Sequence, residues 1–190
     1  MSRPLWTAVF QVADVDQTQD LAVRIAQSLR AGDLLILSGG LGAGKTTFTQ
    51  GLGRGLGVRE GIISPTFVLA RQHPNLPDGP RPGGPDLVHV DAYRLGSAEE
   101  LEDIDLEETL DTSVTVVEWG RDRAEQLAAS RLEIELERPR GGDETTGEIV
   151  LDFEDEDEPR TITVTAFGER WEQAPEWAVD GIAVPQEGQQ

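Results

Sequence analysis

A glycine-rich segment carries the residue types and the spacing that bind phosphate groups. Gly39-x4-Gly44-Lys45-Thr46 fits the P-loop pattern in full. Glycines let the backbone curl so that successive N–H groups point inward as a nest for an anion. Lys45 supplies a point charge for the β- and γ-phosphates of a nucleotide, and the Thr46 hydroxyl is placed to ligate Mg²⁺. We predict that the phosphate site comprises Gly39, Gly40, Leu41, Gly42, Ala43, Gly44, Lys45, Thr46 and Thr47.

The choice of lysine at position 45 supports this interpretation. Of the 16 Lys and Arg residues, only Lys45 is a lysine. A tight cradle of backbone amides admits a compact ammonium but not a planar guanidinium. The same scarcity excludes the small-GTPase type of guanine site, because its N-K-x-D motif needs another lysine. A G-x-G-x-x-G dinucleotide fingerprint is also absent, because Lys45 stands where its third glycine would follow Gly40 and Gly42.

Two carboxylates follow apolar strand-length segments. Asp91 comes directly after Leu87–Val90, and Glu118 directly after Val114–Val117. Ligands of open α/β sheets bind outside the carboxyl ends of the strands. Carboxylate oxygens are ligands that Mg²⁺ prefers. We therefore predict that Asp91 and Glu118 share the metal and the attacking water, with Lys45 as the third catalytic group.

A further hydroxyl group lies between the P-loop and Asp91, in the segment Ser64-Pro65-Thr66. Thr66 can sense a γ-phosphate, as switch threonines do. The segment is equally explained as a proline turn with Thr66 starting a strand, and both interpretations stay open. The histidines, His73 and His89, show no metal-ligand spacing, and we assign neither a role.

Hydrophobic periodicity predicts the elements that position these groups. Helices are expected at Thr18–Leu29, from Lys45 to near Gly57, after a capping box at 97–100, and at Arg121–Ala129. Strands are expected at Leu34–Leu37, Phe67–Ala70, Leu87–Val90 and Val114–Val117. Three later segments have no helix between them and predict an antiparallel meander: Leu132–Leu136, Glu148–Phe153 and Thr161–Phe167. We predict an α/β fold, with a P-loop NTPase-like central sheet, flanking helices and an antiparallel C-terminal extension.

The chain divides into one predicted domain and a tail. Residues 1–168 form the P-loop ATPase domain. Within it, residues 72–86 contain five prolines and three glycines and predict an exposed, flexible loop. Residues 169–190 form a polar tail that is either disordered or packed through Trp171 and Trp177.

Charge and hydropathy limit the partners. The formal net charge is −20, and a surface this acidic repels phosphate backbones. We therefore expect contact with a nucleic acid only through protein partners. No apolar run approaches the roughly 20 residues that cross a bilayer, and no signal peptide is visible. We expect a cytoplasmic protein without membrane association.

Four segments together resemble the TsaE family. In the order of the family they are Gly39–Phe48, Ser64–Phe67, His89–Leu95 and Val117–Trp119. The resemblance covers most of the predicted domain and implies the bacterial ATPase subunit of the machinery that makes N6-threonylcarbamoyladenosine at position 37 of tRNA. It implies ATP and Mg²⁺ as cofactors. It also implies TsaD and TsaB as protein partners, with TsaD performing the transfer onto tRNA.

The resemblance also implies roles for single residues. Thr46 and Glu118 would ligate Mg²⁺, while Asp91 would fill the Walker B-like place and support the metal or the water. Thr66 would belong to a switch-like segment, and Trp119 would lie beside the site. The adenine is expected near the start of the first helix, around Val15.

This sequence departs from the family at three places. Gly40 stands where the family usually has an acidic residue, which alters the charge of the loop but not its backbone nest. The 72–86 loop is longer and richer in proline than usual. The segment after Phe167 has no counterpart that we can place.

Two other functions remain as alternatives to ATP hydrolysis. A P-loop small-molecule kinase would need an acceptor pocket and an arginine-rich lid, but the arginines are scattered, with Arg121 and Arg123 nearest to a cluster. A scaffold that binds ATP without hydrolysing it would not need the strand-end carboxylates Asp91 and Glu118.

Overall fold

The computed structural model describes residues 3–65, 69–95, 97, 99, 101, 106–138 and 158–182. These residues form a seven-stranded sheet in the order β1-β7-β6-β2-β5-β4-β3. The strands are β1 (Trp6–Val12), β2 (Leu34–Ser38), β3 (Ala70–His73), β4 (Asp86–Asp91), β5 (Ser113–Glu118), β6 (Arg131–Glu137) and β7 (Arg160–Phe167).

The centre of the sheet is parallel and its edges are antiparallel. β6, β2, β5 and β4 run parallel to one another. β3 joins one edge antiparallel to β4, while β7 and β1 extend the other edge with antiparallel pairing. Every residue of β2 is buried, as expected for the middle strand of a covered parallel sheet. The predicted α/β fold with an antiparallel extension is confirmed, although β6 itself pairs parallel to β2.

Two long helices cover one face of the sheet. They are α1 (Val15–Ala26) and α2 (Lys45–Leu56). Asp14 caps α1 by accepting a hydrogen bond from the Gln17 backbone N–H at 2.8 Å. The two helices pack closely at Gly51 of α2, because this residue has no side chain. A Cβ there would lie 2.6 Å from the carbonyl oxygen of Gln19 in α1. Two one-turn helices, α3 (Glu107–Leu110) and α4 (Glu176–Val179), lie later in the chain.

Several predicted elements differ from those observed. The helix expected at Arg121–Ala129 is wrong, because only a 3₁₀ turn forms at Glu125–Leu127. Asp122 has a φ of 64° and Ala128 is extended, so a regular helix cannot run through the segment. A strand is observed at Ala70–His73, after Leu69 at a φ of 61°, so it shares Ala70 with the strand expected at Phe67–Ala70; Phe67 and Val68 lie outside the described residues. β1 was missed altogether.

Two further predictions lie largely or wholly outside the described residues. The helix opened by the 97–100 capping box is described only at single positions. The strand expected at Glu148–Phe153 lies wholly in the part of the chain that is not described. None of the described helices has the length and apolar character needed to span a bilayer.

The segment predicted as a 72–86 loop is shorter than expected, because its two ends belong to β3 and β4. Asn75 Nδ2 donates to the carbonyl oxygen of Leu56 at 2.9 Å. The Arg81 guanidinium donates to the carbonyl oxygens of Ala26 at 3.1 Å and Leu29 at 2.8 Å. The loop therefore caps the C-terminal ends of both long helices.

The first part of the predicted tail is packed onto the domain. Trp171 and Trp177 are buried, and Trp177 Nε1 donates to the Ser28 hydroxyl at 2.9 Å. Ile182 forms an antiparallel bridge to Ala8 of β1. Of the two states considered for the tail, packing applies to residues 169–182, and residues 183–190 lie outside the described part.

Candidate functional site

The glycine loop joins the central strand β2 to the first turn of α2. Gly39, Gly42 and Gly44 have φ values of 143°, 72° and 101°, which disfavour any residue with a side chain. A Cβ at Gly39 would also collide with the carbonyl oxygen of Leu136 on β6. The sequence therefore needs glycine here to bring the loop against the neighbouring strand, with the N-terminus of α2 at its end.

Lys45 is folded into this loop. Its ammonium donates to the carbonyl oxygens of Gly39 at 2.9 Å and Gly40 at 2.8 Å, and lies 3.7 Å from the centroid of the Trp119 ring. Burial lowers the pKa of Lys45, and the nearby charges of Glu118 and Asp91 act in the opposite direction. These two carboxylates therefore favour the charged ammonium in a site that desolvates it.

The β5 strand delivers Glu118 to the loop. In the parallel register of β2 and β5, Leu37 lies opposite Glu118. The Thr46 hydroxyl, in the first turn of α2, donates to Glu118 Oε1 at 3.1 Å and lies 3.4 Å from Oε2. His89 Nε2, on β4, lies 2.7 Å from the same Oε1. The structure thus brings Lys45, Thr46 and Glu118 together as the sequence predicts, and adds His89.

Asp91 lies beside Glu118 but has different partners. The two residues are opposite each other in the register of β4 and β5. Asp91 Oδ2 accepts a hydrogen bond from the Ser64 hydroxyl at 2.9 Å, and Oδ1 accepts one from the Tyr93 backbone N–H at 3.0 Å. Asp91 therefore connects the strand end to the segment that contains Ser64, whereas Glu118 connects it to the P-loop.

Trp119 follows Glu118 in an uncommon backbone conformation. Its φ is 60°, which costs free energy for a residue with a large side chain. Its backbone N–H donates to the carbonyl oxygen of Leu37 at 2.9 Å. Its ring contacts both the Lys45 ammonium and the Tyr93 ring, whose centroid is 5.0 Å from its own. The strained turn therefore holds Trp119 beside the site.

The available donors fit a magnesium ion. The Thr46 hydroxyl and the Glu118 carboxylate are hard oxygen ligands at the N-terminus of α2. Among the described residues, no group of three or more His, Cys, Asp or Glu side chains could hold a metal. Mg²⁺ usually takes one or two protein ligands and completes its shell with water and substrate phosphates, so a hydroxyl and one carboxylate are enough protein ligands for it.

The other predicted site residues have less defined positions. Leu41 is 83% exposed at the tip of the P-loop. Thr47 is half-buried in the first turn of α2, and Val15 is the half-buried first residue of α1. Thr66 lies outside the described residues, so its place near the site stays a prediction.

Two arginines at the loop were not predicted. Arg138, directly after β6, donates to the carbonyl oxygen of Gly42 from Nε at 3.1 Å and from Nη2 at 2.6 Å. Arg160, which begins β7, lies against Gly44, since a Cβ there would be 3.4 Å from Arg160 Nε. Both residues are far from the loop in sequence, so only the order of β2, β6 and β7 in the sheet could have revealed them. His89 was missed because it resembles a core position.

The fold and this site define the P-loop class of α/β proteins: a buried parallel strand, a glycine loop, a helix, and acidic ends on the adjacent strands. A model of the family described as "Threonylcarbamoyl adenosine biosynthesis protein TsaE" matches residues 12–145. The match spans more than half of the chain, and the chain belongs to the TsaE family.

Individual relatives agree with this assignment. The chain is 52% identical over 154 residues to the tRNA threonylcarbamoyladenosine biosynthesis protein TsaE of Streptomyces coelicolor, covering 80% of this chain and 93% of that protein. It is 37% identical over 164 residues to the protein of the same name from Bacillus subtilis, covering 86% and 88%. The crystal structure of YdiB from Bacillus subtilis matches with a TM-score of 0.63 and 31% identity, covering 90% of this chain and 91% of that one.

Proposed function

We propose that this protein binds ATP with Mg²⁺ and hydrolyses it in support of N6-threonylcarbamoyladenosine formation at position 37 of tRNA. The observation that carries the proposal is the contact between the Thr46 hydroxyl and the Glu118 carboxylate beside Lys45. This contact brings a hydroxyl, a carboxylate and an ammonium together at the end of a glycine loop. The names of the relatives support the link to tRNA threonylcarbamoyladenosine biosynthesis.

Each group then has a defined task. The backbone N–H groups of the loop and the N-terminus of α2 bind the phosphates. Lys45 exchanges its bonds to the Gly39 and Gly40 carbonyl oxygens for the β- and γ-phosphate oxygens. Thr46 and Glu118 hold Mg²⁺, which when bound offsets phosphate charge and polarises the phosphoryl oxygens. Asp91, fixed by Ser64 and Tyr93, orients the water that attacks.

We propose TsaD and TsaB as the partners, with tRNA contacted only through them, in the cytoplasm. The net charge of −20 disfavours a direct contact with tRNA. Three exposed apolar side chains lie on segments of the site: Leu41 on the loop, Ile63 next to Ser64, and Tyr93 next to Asp91. A protein that docks there would sense the nucleotide directly, because the same three segments contain the predicted contacts with the nucleotide.

Hydrolysis and partner binding can be measured together. We expect slow Mg²⁺-dependent release of phosphate by the isolated protein, and faster release with a TsaD–TsaB complex. Labelled protein is titrated into that complex with a non-hydrolysable ATP analogue, with ADP and without nucleotide. We expect the three affinities to differ. A nucleotide changes partner binding only if it binds the free and the partner-bound protein with different affinities. The Lys45→Ala variant is the control, and its affinity should be independent of nucleotide.

Two results would contradict the proposal. Equal affinities in all three conditions, with no stimulation of phosphate release, would remove the coupling to TsaD and TsaB. Transfer of the phosphate to a metabolite, rather than its release as inorganic phosphate, would favour the small-molecule kinase.

A further inference from the structure

A buried histidine touches the carboxylate that the proposed function assigns to Mg²⁺. His89 is the fourth residue of β4 and its side chain is fully buried. Its Nε2 lies 2.7 Å from Oε1 of Glu118, which is 3% exposed. Glu118 ends the adjacent strand β5, so the contact crosses between two strands of the parallel centre.

The other ring nitrogen of His89 makes no hydrogen bond among the described residues that would stabilise a histidine at this position. His89 Nδ1 is buried and has no hydrogen-bond partner among the described residues. An unpartnered buried nitrogen costs free energy, and an apolar residue would continue the pattern of Leu87, Val88 and Val90 without that cost. The hydrogen bond to Glu118 is therefore the polar interaction that position 89 gains from a histidine.

This hydrogen bond decides how the carboxylate of Glu118 is turned. Thr46 and His89 both meet Oε1, at 3.1 Å and 2.7 Å, whereas Oε2 lies farther from Thr46, at 3.4 Å. A carboxylate oxygen accepts hydrogen bonds, so His89 Nε2–H donates to Oε1 and fixes it. Among the described residues, Oε2 has only the longer contact with Thr46. Partners behind a metal ligand orient it and raise its affinity for the ion.

We propose that His89 is a positioning residue that holds Glu118 in the orientation required for Mg²⁺. The inference rests on the proposed function, since it concerns the metal that this function needs. It adds a residue from β4 to the pair formed by Thr46 of α2 and Glu118 of β5. His89 itself touches neither the nucleotide nor the ion.

The second histidine of the chain provides a matched control. His73, on β3, is also buried, and its ring centroid lies 6.4 Å from that of His89. It lies on the same face of the sheet because it pairs with Leu87, two residues from His89. Replacing His73 therefore removes a buried imidazole from the same layer without removing the bond to Glu118.

The test is the Mg²⁺ dependence of ADP binding, measured with a fluorescent ADP analogue in His89→Leu, His89→Gln, His73→Leu and the parent protein. Binding is first measured in EDTA and then during titration with Mg²⁺. We expect His89→Leu to weaken the apparent Mg²⁺ affinity by about 10–100-fold, the typical effect of losing a hydrogen bond behind a metal ligand. Its EDTA affinity should match the parent, because the P-loop is unchanged.

The two other variants separate positioning from packing. His89→Gln places an amide donor near the position of Nε2 and should recover most of the Mg²⁺ affinity. His73→Leu should leave it unchanged. Equal losses in His89→Leu and His73→Leu, or no loss in His89→Leu, would overturn the inference while leaving the proposed function intact. A parent protein whose ADP binding ignores Mg²⁺ would overturn both.

A spectroscopic measurement tests the same contact without nucleotide or metal. With two histidines in the chain, nitrogen-15 spectra of the imidazoles can be assigned from the His73→Leu variant. We expect His89 to be the Nε2–H tautomer, with its Nε2 proton shifted downfield by the short bond, and we expect Glu118→Ala to abolish that shift. An Nδ1–H tautomer of His89 would contradict the positioning role.

Discussion

Two regions of this molecule hold charged and polar side chains in buried or half-buried positions, and the hydrogen bonding differs between them. We call Lys45, Thr46, His89, Asp91 and Glu118 the strand-end cluster, and Ser28, Asp33, Arg170 and Trp177 the tail anchor. In the tail anchor, Arg170 donates to Asp33 Oδ1 at 2.9 Å and Oδ2 at 3.0 Å, and to the Ser28 carbonyl oxygen at 2.8 Å. The anchor groups thus satisfy one another.

The strand-end cluster is bonded less completely. Lys45 is bonded to carbonyl oxygens of a glycine loop, and His89 Nδ1 lacks a partner among the described residues. A polar network that satisfies itself rigidifies the fold, whereas one that is held by exchangeable contacts can accept a ligand. We therefore expect changes in the tail anchor to affect stability and changes in the strand-end cluster to affect nucleotide chemistry.

The largest effect is expected at Lys45. Lys45→Ala removes the charge on the β- and γ-phosphates, and Lys45→Arg places a wide guanidinium between the Gly40 carbonyl and the Trp119 ring. Both should lower ATP turnover by about 10²–10³-fold, the typical loss for one electrostatic contact in a transition state. Phosphate release is the measurement, and thermal unfolding should change little. Parental turnover by Lys45→Arg would refute our explanation of the single lysine.

The next largest effect is expected in the tail anchor, where a substitution should lower the stability of the fold and leave ATP turnover unchanged. Arg170→Ala leaves the Asp33 carboxylate buried, with the Arg30 backbone N–H as its one remaining hydrogen-bond partner among the described residues. We expect a loss of about 2 kcal/mol in the free energy of unfolding, because a buried charge loses its counterion. Urea unfolding measures this loss. ATP turnover under native conditions should remain parental, and a large fall in turnover would contradict the separation of the two regions.

The smallest effect is a pH dependence next to the strand-end cluster. Burial lowers the pKa of His73 below its ordinary 6.5, and the positive charge of Arg71 acts in the same direction. At a pH between the folded and the unfolded pKa of His73, the unfolded chain therefore binds a proton on this residue that the folded protein does not bind. Stability from this group is present above pH 6.5 and is lost as the pH falls through the unfolded pKa toward the folded one.

His73→Leu should remove this contribution. Urea unfolding above and below the ordinary pKa of histidine compares the two proteins. The parent should lose more stability on acidification than His73→Leu. Identical losses would show that His73 accepts its proton in the folded protein as readily as in the unfolded chain.

Local sequence patterns predicted much of the parallel centre and of the P-loop. β2, α2, β4 and β5 lie within one or two residues of their predicted bounds, because each combines strong periodicity with a glycine or an acidic residue at its end. The positions of Asp91 and Glu118 at the ends of apolar segments predicted that both carboxylates lie at the carboxyl ends of the parallel strands.

Contacts between distant segments could not be predicted in the same way. Arg138 meets Gly42, 96 residues away, only because β6 pairs beside β2. β1 was missed although Trp6, Ala8, Phe10 and Val12 alternate with the period of a strand. Its pairing with β7, from Trp6 opposite Ala166 to Val12 opposite Arg160, joins segments that lie far apart in the sequence. The helix expected at Arg121–Ala129 failed because backbone conformations at Asp122 and Ala128 override its apolar spacing.

The central claim is that Glu118 serves the chemistry of the site and not the stability of the fold. Glu118→Gln tests it most directly, because the amide keeps a polar group for Thr46 and His89 but removes the charge. Mg²⁺-dependent ATP turnover and thermal unfolding are measured on the same preparation. We predict a fall in turnover of about 10–100-fold with little change in the unfolding midpoint. Parental turnover, or a loss of activity that only follows a loss of stability, would contradict the account.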